Sequence, residues 1–250
     1  LLRELRVYLW AIGVAALVGV FYLHQNPATD IGFSEIFFVE GAFLGQFSEV
    51  ADFFDMSVYV SSGVIALILA VFTKWAMDDE GHFGRLSQCF SFFIVVLLVG
   101  SLGMVQCLKF TSERPRPFSI IEFGGEMEFV PVGVFVDSSG HWRIPDDERS
   151  FPSGHTASSF GTVVLAVIPQ RRKVRAAVFG AGCLFASVAG LMRILEGNHY
   201  LSDVIGAMGL MSLLILFLDW GYSYWSSGID RLFFGRNTEE KRGAQKNFSL

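Results

Sequence analysis

Charged side chains make up only 17% of this 250-residue chain, against 52% hydrophobic ones. A soluble domain built around one core would struggle to stay in solution on that balance. Cysteine is scarce as well. Cys89, Cys107 and Cys183 all fall within apolar runs, which argues against a disulfide framework and for buried apolar thiols. Internal repeats and low-complexity linkers are lacking, so a single domain over 1–250 is expected. The net charge of -5 gives no reason to expect a nucleic-acid partner. Between His24 and Met56 there is no Lys or Arg, while Asp30, Glu35, Glu40, Glu49, Asp52 and Asp55 all occur there.

What the chain has instead is apolar runs, at about 7–23, 57–77, 86–108, 154–168, 176–192 and 201–220, set against the roughly 20 residues a spanning helix needs. The expected fold is all-α: a polytopic six-helix membrane bundle with an outside loop carrying short helices. The run at 154–168 is short, with a polar first turn. The first run is read as a retained helix, since no small-x-small cleavage site follows it cleanly. Basic residues gather at Arg3 and Arg6, at Lys74 and Arg85, at Arg171, Arg172, Lys173 and Arg175, and in the tail from Arg231 to Lys246. This alternation suits six helices with both ends cytoplasmic. The core is placed at about 57–225 and a cytoplasmic tail at 226–250; the Asn247 sequon then lies on the wrong side for glycosylation. In 33–54, Phe33, Phe37, Leu44, Phe47, Ala51 and Phe54 recur at helical spacing, as in a helix at the interface or on the protein's own surface. The segment 109–153 is polar and rich in Pro and Gly, a loop long enough to expect function from it.

Several cations break the charge rule. Lys109, Arg114, Arg116, Arg143, Arg149 and Arg193 lie on the side that should be poor in them. Lys109 ends the third span, Arg116 follows in a Pro-rigidified loop and Arg193 ends the fifth, so all three sit at one level. Clustered cations there call for an anion with several oxygens. Pro152-Ser153-Gly154-His155 opens the fourth helix at the same level, where free amides and the helix dipole favour negative charge; Ser153 caps or donates, and Gly154 lets backbone approach a ligand. His199 opens the sixth helix with Asp203 at i+4, a spacing that lets a carboxylate hold one imidazole nitrogen and leave the other aimed outward. Two histidines in an anion cradle suit phosphoryl transfer, one attacking phosphorus and the other protonating the leaving oxygen. No cofactor is needed and no metal is expected, because the cations and helix end would repel a divalent ion.

These residues carry a family resemblance. Lys109-Phe-Thr-Ser-Glu-Arg-Pro-Arg116-Pro117, Pro152-Ser153-Gly154-His155 and Arg193-Ile-Leu-Glu-Gly-Asn-His199-Tyr-Leu-Ser-Asp203 resemble the three signatures of the type 2 phosphatidic acid phosphatase (PAP2) superfamily, over about residues 85–220. One departure is Met192, where the third signature usually has serine. The resemblance implies a six-helix bundle, with His199 as nucleophile, Asp203 as its orienter and His155 as general acid. Lys109, Arg116, Ser153, Gly154 and Arg193 would bind phosphate, with Arg114 read as a solvated loop charge. Arg114-Pro-Arg-Pro117, then Ile120-Ile-Glu-Phe-Gly-Gly125, then Ser150 to His155, is similar to bacterial lipid A phosphatases and their undecaprenyl-pyrophosphate or phosphatidylglycerophosphate relatives. The Phe-Gly-Gly element either shapes the loop or helps select the headgroup.

The expected activity is a metal-independent lipid phosphate phosphatase in a bacterial inner membrane, facing the periplasm or exterior. Its partners are the bilayer and a lipid phosphate: phosphatidate, phosphatidylglycerophosphate, undecaprenyl pyrophosphate or lipid A. A phosphotransferase would share the first half-reaction. A lipid-binding or scrambling protein that had lost catalysis would be expected to lack part of the histidine, aspartate and cation set, which is intact here.

Overall fold

The exposed and buried sides of the first helix already follow a membrane logic. In α1 (Arg3–Gln25), Leu5, Leu9, Gly13, Ala16 and Leu23 are buried, while Val7, Trp10, Val14, Leu17, Val18 and Phe21 are exposed on the other side. An exposed face that is apolar along its whole length is suited to hydrocarbon. The computed structural model describes residues 3–46, 82–134, 144–145, 148–222 and 224. The expected span at 57–77, the second half of the 33–54 segment, Arg143 and the 226–250 tail lie outside the described residues.

The described elements follow in order as α1, α2 (Pro27–Glu35), a hairpin of β1 (Phe38–Val39) and β2 (Ala42–Phe43), α3 (His82–Val96), a π-helical stretch (Leu97–Met104), α4 (Val105–Ser112), two short 3-10 turns, α5 (Gly154–Gly161) continuing as a 3-10 stretch (Thr162–Val167), and α6 (Arg172–Leu195); α7 (Leu201–Tyr222) closes the set. Among the described residues, four helical stretches are long and apolar enough to cross a membrane: α1, Cys89–Ser112, α6 and α7. The chain is an integral membrane protein. The 154–167 helix is too short to span unaided and lies inside the bundle, with Ala157, Phe160, Val163 and Ala166 buried against Phe93, Val96, Phe179 and Met211.

Small residues set the helix spacing, as expected where lipid supplies no hydrophobic drive between helices. A Cβ on Gly209 would strike Ala16 of α1, and one on Gly100 would strike Met211. Gly100 lies within the π-helical stretch, against Met211 and Leu214 of α7. At one end of the bundle Arg6 of α1 pairs with Asp219 of α7 at 2.8 Å, and Arg172 of α6 with Glu4 at 3.2 Å. The ends of α1, α4 and α6 and the starts of α5 and α7 therefore share the opposite level.

Three expectations need correction. Residues 36–46 form a hairpin rather than helix: Phe38 pairs with Phe43 and Val39 with Ala42, around Glu40 and Gly41, both at positive φ. Two adjacent left-handed residues are what a tight two-residue hairpin turn requires. Phe37, one of the phenylalanines at that spacing, packs with Phe38 against a cluster of Phe43, Ile120, Phe123 and Tyr200. Cys107 is exposed rather than buried, unlike Cys89. The third correction, at Arg114, belongs to the site.

Candidate active site

The site is assembled at that shared level by elements distant in sequence. α7 begins with His199 just ahead of it, and the His199 Nδ1 lies 3.5 Å from Asp203 Oδ2, both side chains fully buried. The same oxygen accepts the Tyr200 amide at 2.8 Å. Asp203 thus faces Nδ1, and Nε2 lies on the side of the ring away from that carboxylate.

α5 enters beside it. The Ser153 backbone amide donates to the Asp203 carbonyl at 3.3 Å, tying the Pro-Ser-Gly-His turn to α7. Ser153 caps α5, its Oγ accepting from the Thr156 hydroxyl at 2.9 Å and the Thr156 amide at 3.4 Å. Nothing of the protein comes within 3.8 Å of where a Gly154 Cβ would stand, and that neighbour is a Val105 methyl. The requirement for glycine there is not set by internal packing.

The expected cations converge. Burial, and then the charges of Lys109, Arg116, Arg193 and His155, hold the His199 imidazole well below the usual histidine range. Arg193 donates to Glu196 Oε2 at 2.6 Å, Asn198 Nδ2 donates to that oxygen at 2.7 Å, and Arg116 Nη1 donates to Asn198 Oδ1 at 2.7 Å. One relay therefore holds both arginines. Sequence reasoning missed Glu196 and Asn198, although both sit inside the spacing that carries Arg193 and His199.

Arg114 is not a solvated loop charge. It is among the largest fully buried side chains, 1% exposed. Its Nη1 donates to Asp203 Oδ1 at 2.5 Å and Ser202 Oγ at 2.7 Å, its Nη2 to Asp30 Oδ2 at 2.9 Å and its Nε to the Val130 carbonyl at 2.8 Å. The guanidinium lies over the Tyr200 ring, 4.1 Å from its centroid. Burial opposes this charge, but the Asp203 and Asp30 carboxylates outweigh it and push the arginine's pKa up. Asp30, which also accepts from the Ser202 amide at 3.0 Å and from the Ser202 hydroxyl, had no motif to mark it. Arg149 faces Glu113 at 4.0 Å and lies over Phe110, outside the cradle. Gly124 has φ +85 and Gly125 lies against the Ser119 backbone, so both glycines of the Phe-Gly-Gly element have a loop-shaping role.

A helical membrane protein in which a buried histidine faces a carboxylate and meets a second histidine and three cations has the composition of a membrane phosphatase. The chain belongs to the PAP2 superfamily, whose model matches residues 86–226, more than half of its length, and it is a phosphatase of that type. It is similar to a lipid A 4'-phosphatase of Francisella tularensis subsp. novicida, 26% identical over 183 residues, covering 72% of this chain and 79% of that protein. A lipid A 4'-phosphatase of Rhizobium leguminosarum is 26% identical over 218 residues, 81% of this chain and 89% of that one. In structure, the chain resembles the crystal structure of a transmembrane PAP2-type phosphatidylglycerolphosphate phosphatase from Bacillus subtilis. The TM-score is 0.51 at 17% identity, covering 88% of this chain and 96% of that one, a likeness of fold alone.

Proposed function

We propose that the chain removes a phosphate from a lipid headgroup through a phosphohistidine on His199, at the non-cytoplasmic face of a bacterial inner membrane. One observation carries this reading: the His199 imidazole has its Nδ1 toward Asp203 and is surrounded by Lys109, Arg116, Arg193 and His155. His199 Nε2 attacks phosphorus, the bond from phosphorus to the lipid oxygen breaks, and His155 gives that oxygen its proton. Water then attacks the phosphohistidine, losing a proton to His155; the P–N bond breaks and phosphate leaves. Lys109, Arg116, Arg193, Ser153 and the amides at the start of α5 stabilise the equatorial oxygens as charge moves between them. With those cations supplying the charge, the reaction runs without a metal.

The positive-inside rule supports this facing, since Arg171, Arg172, Lys173 and Arg175 lie at the opposite end of the bundle. At headgroup depth, a lipid can enter from the side with its chains still in the bilayer. The names of the relatives make the 4'-phosphate of lipid A the first substrate to try, ahead of phosphatidate, phosphatidylglycerophosphate and undecaprenyl pyrophosphate. The test is phosphate release by purified protein in detergent with EDTA, across those four lipids. His199→Ala should lower turnover by about 10³-fold or more while the protein remains monodisperse. Full activity in that variant, or activity abolished by EDTA, would overturn the mechanism. Transfer to an added lipid acceptor in place of free phosphate would instead mark a phosphotransferase.

A further inference from the structure

We infer that Arg114 and Asp30 are positioning residues for phosphoryl transfer, holding the Asp203 carboxylate in the orientation that aims His199. The inference rests on the role proposed above for His199 and adds Arg114, at a variable position within the first signature, and Asp30, outside all three.

The geometry is a relay in which each member has little freedom. Asp203 divides its oxygens: Oδ2 faces His199 Nδ1 at 3.5 Å and takes the Tyr200 amide, while Oδ1 takes Arg114 Nη1 at 2.5 Å. Among the described residues, the arginine is the group from outside α7 and its first turn that holds the second oxygen. A carboxylate that is 0% exposed and lost that partner would face a large desolvation penalty and would be free to rotate away from the imidazole. Arg114 is itself fixed on three further sides, by Asp30, Ser202 and the Val130 carbonyl, with Tyr200 beneath it. Four of its five N–H donors are thereby used.

Charge bookkeeping supports positioning over a purely mechanical role. Asp30 and Asp203 share one guanidinium, so the buried trio carries a net negative charge next to the imidazole that must become cationic on phosphorylation. A hydrophobic cluster of equal volume would tie the same elements together without that charge, and a buried ion triad is a poor source of stability by itself. Asp30 sits on α2, and so the first hairpin of helices takes part in the chemistry although all the signatures lie beyond residue 108. The titratable groups that bear on Asp203 are Arg114 from the loop, Lys109 from α4, and His199 and Tyr200 from the turn before α7, with Asp30 of α2 across Arg114.

The test compares wild type with Arg114→Lys, Arg114→Ala, Asp30→Asn and His199→Ala, using lipid A and dioctanoyl phosphatidate as probes. Size-exclusion elution checks the fold, and acid-stable or acid-labile protein phosphate is followed after rapid mixing. Arg114→Ala should lower kcat about 10- to 100-fold with KM changed less than about 3-fold. It should also move the acid limb of kcat to higher pH, because losing a cation beside the Asp203–His199 pair leaves more negative charge next to the imidazole. Arg114→Lys keeps the charge but loses the fork, and should recover part of the rate. Asp30→Asn leaves Arg114 entirely to Asp203, so its acid limb should not move upward; it also keeps the inference open to test if Arg114→Ala fails to fold. Equal loss of activity in all folded variants, with the wild-type pH profile and no rescue by lysine, would sink the positioning role. Activity or phosphoprotein surviving in His199→Ala, or silence of the wild type on both probes, would overturn the reading of His199 and with it this inference.

Discussion

His199 is the residue whose environment makes the sharpest demand. Its imidazole is held well below the usual histidine range by burial first and by the surrounding cations second. A lowered pKa means that the neutral, nucleophilic form persists as pH falls, so the sign is unambiguous. The acid limb of kcat/KM should lie below the ordinary histidine value of 6.5, checked by a pH-rate profile in detergent. A limb at or above that value would contradict the environment described. Arg116 supplies a second residue-scale prediction. It donates to Asn198 while bearing on His199, a division of labour that needs a planar fork. Arg116→Lys should therefore lower kcat/KM by at least about 10-fold, measured on whichever lipid the wild type hydrolyses fastest.

Among the elements, α6 is the one that holds the site closed. Gly190 lies where α6 meets both α5 and α7, and a Cβ there would strike Val204 and the Thr156 hydroxyl. Val204 is β-branched and sits one residue after Asp203; Thr156 sits one residue after His155. Gly190→Val should thus push the two histidines apart at a cost of about 1–3 kcal/mol. Reduced thermal stability and a lower kcat are expected together, and wild-type values for both would show that the helices adjust freely. The hairpin acts on the same region from outside. The Gly45 amide donates to the Leu195 carbonyl at 2.8 Å, and Gly197, at φ +71, packs against Phe43. The loop between Arg193 and His199 is thereby clamped by residues 43–45.

For the molecule as a whole, the ordering of levels is the governing fact. Ion pairs from Arg6 to Asp219 and from Arg172 to Glu4 mark one end, and the histidine site marks the other. If the basic end is cytoplasmic, a fluorescent protein fused after Leu250 should fold and emit, and alkaline phosphatase fused at the same point should stay inactive. The reverse pair of results would place the site on the cytoplasmic face.

Much of the candidate site was legible because the residues that converge there sit at helix ends with fixed spacing. Lys109, Arg116, Ser153, Gly154, His155, Arg193, His199 and Asp203 could be found by asking why cations and histidines interrupt apolar runs at one level, and the fold class followed from the runs themselves. The hairpin was less legible, because aromatic residues at helical spacing masked the Glu40-Gly41 turn that decides the local geometry. The sequence by itself determined a helical membrane protein with histidines, cations and a carboxylate gathered at one level, since hydropathy and short-range spacing are local properties. Only the tertiary structure decided the partners of Arg114. Its contacts with Asp30 and Asp203 span 84 and 89 residues, and Ser202 reaches Asp30 across 172. Pairings at such separations have no period and no motif, because they are fixed by how the helices pack.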